Sequence, residues 1–565
     1  MTRVTVAVGL CALLVAACDG GGSAAGGDDD GTGAGGSGGG GASVPSVGGG
    51  GTGGDGGSGG GLGGEGGEGG SGGAGGSGGA GGGGGAAGPD AVIEQMGDPN
   101  RILLKGRVLT PDDAMAGEVL IEDDLITCVA PSCAAEPGAA TATVIETNGI
   151  IMPGMIDSHN HVLFNIFDEQ DWTPVMTHGD ADDWTNPNLE PGYAAVLDAK
   201  QYINGEMGSP VNLTCEMNKY GELKALVAGT TSVLGAAKNG GNLVCYRTVA
   251  RTIDGTANGL CGNWPPQSCP DRMRVHSILP SNASAQSACD NIGAGSTSAY
   301  VAHRGEGINQ TALNQFEDLR TDTNPEGCLF HPATTLVHAT AFGDPELTEM
   351  AQNGMRISWS PRSNVFLYGG GTDLSATTDI PLALSKGITV ALSPDWSLGG
   401  SANLLEELKF ADLVDNSEWS DTLSPAMLVD MVTRKAAEVL SLEAEIGQLA
   451  VGFKADVTVV GGDVNTPFSS VIAADPGDVR LVIVDGRIMY GDDQLEPAAP
   501  QTPGCESVPI CGRNKFLCVA IDDNSQKFDQ TLGDIEMALD QALMDYDTAN
   551  STAFFPLPAL AECNP

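Results

Sequence analysis

Two histidines, His159 and His161, stand on either side of a single residue, directly after an apolar run that ends at Ile156. Because side chains alternate faces along an extended chain, both imidazoles point the same way and Asn160 points away from them. Two imidazoles that converge at the carboxyl end of a buried strand supply half of a zinc-type metal site. The alternative is a pair of surface histidines in a loop, but the chain holds only 7 histidines and two of them fall here.

Three further polar residues follow apolar runs in the same manner. His303 lies in AYVAHRGE, His338 ends TTLVH, and Asp395 ends VALSPD. Taken alone, each of them has an alternative as a hydrogen-bonded loop residue. Their recurrence at the ends of several predicted strands favours one shared metal site instead.

The elements that must position these residues are predicted to be alternating strands and helices. Short apolar runs separated by helical segments are typical of parallel βαβ units. We predict eight such strands: Ile150–Ile156, Thr230–Leu234, Thr248–Ile253, Arg274–Leu279, Ala299–Ala302, Thr335–His338, Arg356–Trp359 and Thr389–Leu392. This pattern predicts an α/β fold, a (β/α)8 TIM-like barrel whose active site lies at the carboxyl ends of the strands.

Runs of alternating apolar and polar residues flank this region on both sides. They are Ile102–Val108, Glu118–Val129, Ala455–Val460 and Val479–Tyr490. We therefore predict a small β-sandwich domain built from both ends of the body, residues 100–152 and 446–495, beside a barrel of residues 153–445. Residues 496–565 hold four cysteines and a predicted helix, Leu532–Tyr546, and are expected to form a C-terminal extension that stabilises the body.

The motifs around the polar residues resemble those of the amidohydrolase superfamily, in particular its branch of cytosine and guanine deaminases and s-triazine hydrolases. The matching stretches lie within residues 100–495 and are PGMIDSHNH from Pro153, HRGE from His303, VHATAF from Val337, SPRSNVFLYGG from Ser360 and VALSPDWS from Val390. Their combination points to the superfamily and does not single out a substrate.

The resemblance implies one divalent metal with four protein ligands: His159, His161, His303 and Asp395. Three imidazoles and one carboxylate suit Zn²⁺ best, with Fe²⁺ as the alternative, and leave a position for a water molecule that the metal would convert to a hydroxide nucleophile. Asp395 would accept the proton of that water. The resemblance also places His338 just outside the ligands, to hold the hydroxide or polarise the substrate, and Glu306 beside the substrate as a proton shuttle.

The expected number of metal ions is one. Two-metal members of the superfamily bridge their ions with a carboxylated lysine at the end of the fourth strand. This chain has no lysine between Lys238 and Lys386, and no Glu or Cys ends the predicted strand Arg274–Leu279. The signatures of the small zinc deaminases, H-x-E and P-C-x-x-C, do not occur in the chain.

Three residues are candidates for contact with the substrate. Asn364 and Trp396 lie in the motifs around the predicted site, and their alternatives are a turn residue and a packing aromatic. His178 lies in the long insertion Val162–Asp198, which follows the first predicted strand. Loops at that end of a barrel strand lie beside the active site, so contact between His178 and the substrate is one possibility.

The N-terminal residues predict export and anchoring. Met1–Ala17 carries one positive charge and an apolar run too short for a transmembrane span. The segment 15–18, Val-Ala-Ala-Cys, resembles the lipobox of bacterial lipoproteins, which implies lipidation of Cys18 and a membrane-attached protein on the periplasmic or cell-surface side. The alternative is an ordinary signal peptide with an incidental cysteine. Residues 19–88 are mostly glycine and predict a disordered tether with an r.m.s. span on the order of 45 Å.

Charge and cysteine content limit the partners and the compartment. The chain has 26 Lys and Arg against 72 Asp and Glu, a net charge of −46. Such a surface repels nucleic acid and anionic lipid, so the expected partner is a small-molecule substrate. Besides Cys11 and Cys18, an even number of cysteines remains in a chain with an export signal, which predicts disulfides. Short spacings suggest the pairs Cys128–Cys133, Cys261–Cys269 and Cys505–Cys511.

Together these features predict a lipid-anchored hydrolase of non-peptide C–N bonds. Deamination of a cyclic amidine, such as a pyrimidine, purine or triazine, is the favoured reaction. A cyclic amide or lactam hydrolase is the first alternative, because the same hydroxide nucleophile serves both reactions. A catalytically inactive surface binding protein is the second, and the complete set of ligands and acid/base groups argues against it.

Overall fold

The protein is represented by a computed structural model, which describes residues 89–111, 113–235, 245, 249–255, 259–260, 272–276 and 282–563. The predicted signal peptide, Cys18 and the glycine-rich tether lie outside these residues. Within the described ranges, no helix is long and apolar enough to cross a lipid bilayer.

The described residues form a mixed α/β structure. Its strands are β1 (Val92–Gln95), β2 (Asp98–Leu109), β3 (Ala114–Glu122), β4 (Leu125–Ala130), β5 (Ala142–Pro153), β6 (Met155–Asp157), β7 (Thr230–Val233), β8 (Arg251–Thr252), β9 (Met273–His276), β10 (Ala299–Arg304), β11 (Thr334–His338), β12 (Arg356–Trp359), β13 (Val390–Leu392), β14 (Val457–Val460), β15 (Val479–Val484), β16 (Arg487–Asp492), β17 (Glu506–Ile510) and β18 (Arg513–Leu517).

Helices follow most of the central strands. They are α1 (Ala181–Trp184), α2 (Pro191–Ile203), α3 (Thr214–Val227), α4 (Asn282–Gly293), α5 (Gln310–Thr321), α6 (Asp344–Gln352), α7 (Pro361–Tyr368), α8 (Ile380–Ser385), α9 (Leu404–Glu418), α10 (Pro425–Met431), α11 (Arg434–Val439), α12 (Pro467–Ala473) and α13 (Leu532–Asn550). The insertion after β6 begins with a short 3-10 helix, Val162–Ile166.

Strands from both ends of the chain share one sheet. Its order is β17-β18-β16-β15-β14-β5-β2-β3-β4, and β1 pairs with β5 outside this path. The joint between the two ends is the antiparallel pair of β14 and β5, in which Val457 lies opposite Pro153. A β-sandwich consists of two packed sheets, whereas these strands form one continuous sheet. The predicted sandwich arrangement therefore stays a prediction. The hairpin β17–β18, from the predicted C-terminal extension, continues the same sheet.

The central strands are parallel and form two sheets, β6-β7-β8 and β9-β10-β11-β12-β13. Because all neighbours are parallel, the carboxyl ends of each sheet lie along one edge. An isolated parallel bridge between Asn160 and Asp395 joins the segment after β6 to the segment after β13. The two sheets therefore meet where the predicted metal ligands lie.

The first predicted central strand begins too early. Residues 150–153 belong to β5, and only Met155–Asp157 forms the central strand β6. The apolar run is continuous here, so its pattern contains no boundary. The break falls at Gly154, where a Cβ would lie 2.1 Å from the Thr231 hydroxyl. A side chain at this position would collide with β7, which explains why a glycine separates the two strands.

The burial of Glu407 in helix α9 differs from what the amphipathic pattern predicts. The pattern of Ala402–Asp412 predicts a helix with Glu406 and Glu407 on a solvated face. The helix is present, but Glu407 is fully buried and Glu406 is mostly covered. The carboxylate of Glu407 accepts hydrogen bonds from the Ser401 hydroxyl and from the backbone N–H of Arg362. Burial is tolerated because both carboxylate oxygens have donors.

The cysteine pairs agree with the predictions only in part. Cys128–Cys133 is confirmed, whereas Cys505–Cys511 is wrong, because Cys505 bonds to Cys518 and Cys511 bonds to Cys563. Glu506 and Leu517 are opposite each other in the hairpin, which brings the preceding and following cysteines together. The predicted pair Cys261–Cys269 lies outside the described residues. Two longer-range bonds were not predicted: Cys215–Cys245 and Cys289–Cys328.

Candidate metal centre

The turn that carries His159 and His161 is held by Asp157, the last residue of β6. The Asp157 carboxylate accepts the backbone N–H of His159 at 3.1 Å and the side-chain amide of Asn160 at 2.7 Å. The side-chain oxygen of Asn160 in turn accepts a hydrogen bond from Asn165, which lies in the 3-10 helix after the turn. Asn160 is thus turned towards the protein frame, and its two histidine neighbours are free to face the opposite side.

Four of the predicted residues converge on one point. His159, His161, His303 and Asp395 each present a ligand atom within 4.8 Å of the others. The Nε2 atoms of His159 and His161 lie 3.0 Å and 3.4 Å from Asp395 Oδ1. His159, His303 and Asp395 are buried, and His161 is only partly covered. The arrangement leaves His161 on the side of the cluster that solvent can reach.

Asp395 is fixed from two directions. Its backbone has φ +69°, an uncommon conformation for a residue with a side chain. Its Oδ2 accepts a hydrogen bond of 2.5 Å from the Ser363 hydroxyl, while Oδ1 faces the histidines. Burial raises the pKa of the Asp395 carboxyl, but the hydrogen bond from His159 and the neighbouring imidazoles outweigh burial and hold this pKa below its usual range. The carboxylate is therefore ionised.

Two histidines of the cluster, His159 and His303, have lowered pKa values. Burial, together with the other imidazoles, lowers the pKa of His159 to about 4 and the pKa of His303 well below its usual range. Neutral imidazoles and an ionised carboxylate are the protonation states that metal ligation requires. The Nδ1 atom of His159 is buried and has no hydrogen-bond partner among the residues that the structure describes. This donor set fits a divalent transition metal such as Zn²⁺.

His338 stands beside the cluster with a defined tautomer. It ends β11 with φ +64°, and its Nδ1 lies 2.9 Å from the side-chain oxygen of Asn364. The amide nitrogen of Asn364 donates to the Thr377 hydroxyl, and its oxygen faces His338. An amide oxygen only accepts, so Nδ1 donates its proton to Asn364, and the neutral form of the ring has its lone pair on Nε2. That Nε2 lies 3.8 Å from Glu306 Oε2.

Glu306 is buried on the other side of His338. The Tyr368 hydroxyl donates to Glu306 Oε1 at 2.8 Å, and the indole N–H of Trp184 donates to the Tyr368 oxygen at 3.1 Å. Burial is the main cause that raises the pKa of Glu306, with the Asp395 charge adding to it. His303, Glu306 and His338 also place ligand atoms within 4.8 Å of one another. A carboxyl with a raised pKa keeps its proton to a higher pH than an ordinary glutamate, which suits it to act as a general acid.

The three candidate substrate contacts have different surroundings. Asn364 binds His338, as described above. Trp396 is buried, with its ring centroid 5.8 Å from that of His161 and further aromatic rings around it. His178 is buried inside the insertion, 3.0 Å from Glu190 Oε1, and is not among the residues brought into the cluster. Glu190 also accepts the Trp172 indole N–H, so this pair belongs to the internal packing of the insertion.

Several residues of the site were not singled out from the sequence. Ser363 and Tyr368 bind Asp395 and Glu306 from helix α7, and Trp184 reaches the site from the insertion. One signal was present: Asn364 and Tyr368 are four residues apart, so a helix that starts at Pro361 places both on one face. Trp184 had no such signal, because its partner Tyr368 is 184 residues away.

Several known proteins are similar to this chain in sequence. Residues 150–489 match the amidohydrolase family. The 5-methylthioadenosine/S-adenosylhomocysteine deaminase of Desulfitobacterium hafniense (strain Y51) is 26% identical over 430 residues, which cover 70% of this chain and 94% of that protein. The 5'-deoxyadenosine deaminase of Methanothermobacter thermautotrophicus is 23% identical over 436 residues, covering 71% and 95%.

Solved structures with the same fold include two hydrolases with bound ligands. A variant of atrazine chlorohydrolase from Arthrobacter aurescens TC1, complexed with zinc and atraton, has a TM-score of 0.53 at 18% identity and covers 69% of this chain and 95% of its own. The guanine deaminase of C. acetobutylicum with bound guanine has a TM-score of 0.51 at 17% identity, covering 69% and 100%. The chain belongs to the amidohydrolase family and is a hydrolase that acts on carbon–nitrogen bonds.

Proposed function

We propose that the protein is a mononuclear metal-dependent deaminase of cyclic amidines. The observation that carries this proposal is the convergence of three imidazoles and one carboxylate, with Glu306, whose pKa burial raises, on the adjacent side. His159, His161, His303 and Asp395 would hold one divalent ion, Zn²⁺ or alternatively Fe²⁺. Such an ion, when bound, activates a water molecule as the nucleophile at neutral pH.

The side chains of this chain would move the protons. Water adds to the ring carbon that bears the amino group, and Asp395 takes one proton from that water. Glu306 gives its proton to the neighbouring ring nitrogen. The proton on Asp395 passes to the amino group, and the C–N bond breaks with its electron pair on nitrogen, which releases ammonia. The remaining hydroxyl proton returns to Glu306 as the C=O bond forms, so one water is consumed for each ammonia released.

His338 would steer the nucleophile in this scheme. Its Nδ1 proton is committed to Asn364, so its Nε2 lone pair faces the reacting groups and can accept a hydrogen bond from the attacking water. The pairing also keeps His338 from rotating. Asn364 is therefore assigned a positioning role in this proposal, and Trp396 the role of an aromatic wall beside His161.

The fold that supports this chemistry is proposed to be a (β/α)8 barrel. Strands β6 to β8 and β9 to β13 would be two arcs of one closed sheet, and the bridge between Asn160 and Asp395 supports closure between its first and last strands. The barrel would comprise residues 153–445, with the composite β-domain of residues 100–152 and 446–495 beside it. The sheet contact between β5 and β14 supports this division.

The attachment of the protein is proposed from its N-terminal sequence. Cys18 would carry a lipid, and the glycine-rich tether would let the enzyme move away from the membrane surface. The test is the Cys18→Ala variant, which should lose its fatty-acid label and appear in the aqueous phase of a detergent partition. Retention of that variant in the membrane fraction would contradict the anchoring proposal.

The test of the reaction is ammonia release from a panel of aminopurines, aminopyrimidines and aminotriazines by the metal-loaded protein. Deamination of at least one of them, lost in Glu306→Gln, supports the proposal. Ring opening of lactams without ammonia release would favour the alternative, a cyclic amide hydrolase. A metal-loaded protein that turns over neither class would favour the surface binding protein.

A further inference from the structure

A chain of two hydrogen bonds reaches Glu306 from outside the metal cluster. The indole N–H of Trp184 donates to the Tyr368 hydroxyl, and that hydroxyl donates to Glu306 Oε1. All three side chains are buried. They come from three separate segments: the insertion after β6, the last residue of α7 and the loop after β10.

The two hydrogen bonds run in one direction in the structure, from Trp184 through Tyr368 to Glu306. An indole N–H can donate and cannot accept, so the Tyr368 oxygen must be the acceptor towards Trp184. The tyrosine's own hydrogen is then available for its second neighbour, Glu306 Oε1. Oε1 is occupied by this hydrogen bond, so Oε2 is the oxygen left to carry the proton whenever Glu306 is protonated.

Glu306 Oε2 is the oxygen that faces the reaction centre. It lies 3.8 Å from His338 Nε2, the nitrogen that is turned towards the cluster. The segment that carries Tyr368 is itself held, because the backbone N–H of His178 donates to the Leu367 carbonyl. The same helix provides Ser363 and Asn364, so one rigid element sets the position of Asp395, His338 and Glu306 together.

We propose that Tyr368, oriented by Trp184, is a positioning residue that fixes the Glu306 carboxyl and confines its transferable proton to Oε2. The proposal rests on the proposed deaminase function for its kinetic consequence, and on hydrogen-bond geometry for the oxygen that carries the proton when Glu306 is protonated. Tyr368 does not touch the substrate in this scheme. It prevents the carboxyl from rotating, so that the proton always faces the ring nitrogen that receives it.

The kinetic test compares Tyr368→Phe and Trp184→Phe with a matched control, Tyr490→Phe. Tyr490 is also a buried tyrosine, but it lies in β16, away from the metal cluster. A disordered proton donor slows proton transfer without weakening substrate binding, so Tyr368→Phe should lower kcat by about 10-fold to 100-fold with KM within about 2-fold. Trp184→Phe should give a smaller loss of kcat, and Tyr490→Phe should leave kcat and KM unchanged. Metal content should equal that of the wild type in all three.

The infrared test needs no turnover. A protonated Glu306 carboxyl would have a C=O stretching band, which is identified as the band that disappears in Glu306→Gln. In Tyr368→Phe this band should move to higher frequency, because Oε1 loses its hydrogen bond, and in Tyr490→Phe it should stay in place. An unmoved band in Tyr368→Phe, or the absence of a Glu306 band in the wild type, would overturn the proposal.

The two tests separate failure of this proposal from failure of the proposed function. If no amidine is deaminated but the Glu306 band moves as expected, the deaminase proposal fails and the assignment of the proton to Oε2 stands. If ammonia is released and Tyr368→Phe retains the kcat of the wild type, the deaminase proposal stands and the role of Tyr368 is refuted.

Discussion

Gly235, just after β7, is the position at which the smallest side chain should do the most damage to the metal centre. A Cβ on Gly235 would lie 1.7 Å from the backbone oxygen of Asn160, the residue between His159 and His161. The obstacle is backbone, so no change of rotamer relieves it. Restoring a contact of 3.0 Å requires a displacement of about 1.3 Å between two segments that the paired strands β6 and β7 hold together.

The cost of Gly235→Ala can be estimated from two terms. The backbone of Gly235 has φ +128°, a region that costs a residue with a side chain about 1–3 kcal/mol. Overpacking against a fixed segment adds about 1–3 kcal/mol. We therefore expect a loss of about 2–6 kcal/mol in the free energy of unfolding. Any protein that stays folded should have its two histidines displaced relative to Asp395, and should bind metal more weakly.

The assay combines denaturant unfolding with metal analysis of the folded fraction. Gly293→Ala is the matched control, because a Cβ at Gly293, at the end of helix α4, meets no atom of the described part of the chain within 4 Å. That control should match or slightly exceed the stability of the wild type and should keep its metal content. If Gly235→Ala also keeps the stability and metal content of the wild type, that result would contradict the close approach of Gly235 to the backbone of Asn160.

Three further predictions concern separate parts of the structure. Asn364→Leu removes the acceptor of the His338 Nδ1 proton and should lower kcat about 5-fold to 100-fold with little change in metal content, measured by ammonia release and elemental analysis. Burial raises the pKa of Glu407 from 4.5 to about 7, so its ionisation destabilises the folded state progressively as the pH rises from 4.5 to 7. Relative to the wild type, Glu407→Gln should therefore gain stability on the order of 2–3 kcal/mol across that interval in unfolding experiments, and a difference independent of pH would contradict this account. Phe554→Ala should lower the free energy of unfolding by about 3 kcal/mol because the Phe554 ring is buried. The control Phe555→Ala, at an exposed ring, should lower it by less than about 0.5 kcal/mol, and thermal unfolding measures both.

The residues of the metal cluster could be predicted because the signal for each of them is local. Every one of His159, His161, His303 and Asp395 stands at or just after a short apolar run, and parallel strands bring such positions to one edge. Strands β6 to β13 correspond to the eight predicted strands. Their boundaries were less predictable, as Gly154 shows, because an uninterrupted apolar run does not reveal where one sheet ends and another begins.

The supporting contacts could not be predicted because they join distant segments. Trp184, Tyr368 and Glu306 come together only after the insertion has folded over helix α7, and no spacing in the sequence relates them. The prediction of a Cys505–Cys511 disulfide was wrong because it used the shortest separation in sequence. The register of the hairpin instead brings Cys505 next to Cys518. Glu407 was misplaced because hydropathy alone does not reveal that a buried carboxylate has donors for both oxygens.

The central claim, one metal held by three histidines and Asp395, is tested most directly by elemental analysis of the purified protein. The wild type is compared with Asp395→Ala and with Asp373→Ala, a control at an exposed aspartate. We predict about one equivalent of Zn or Fe in the wild type and in Asp373→Ala. In Asp395→Ala, loss of a ligand should weaken metal binding by more than about 100-fold and leave little bound metal. Two equivalents in the wild type, no metal after reconstitution, or full occupancy in Asp395→Ala would contradict the account.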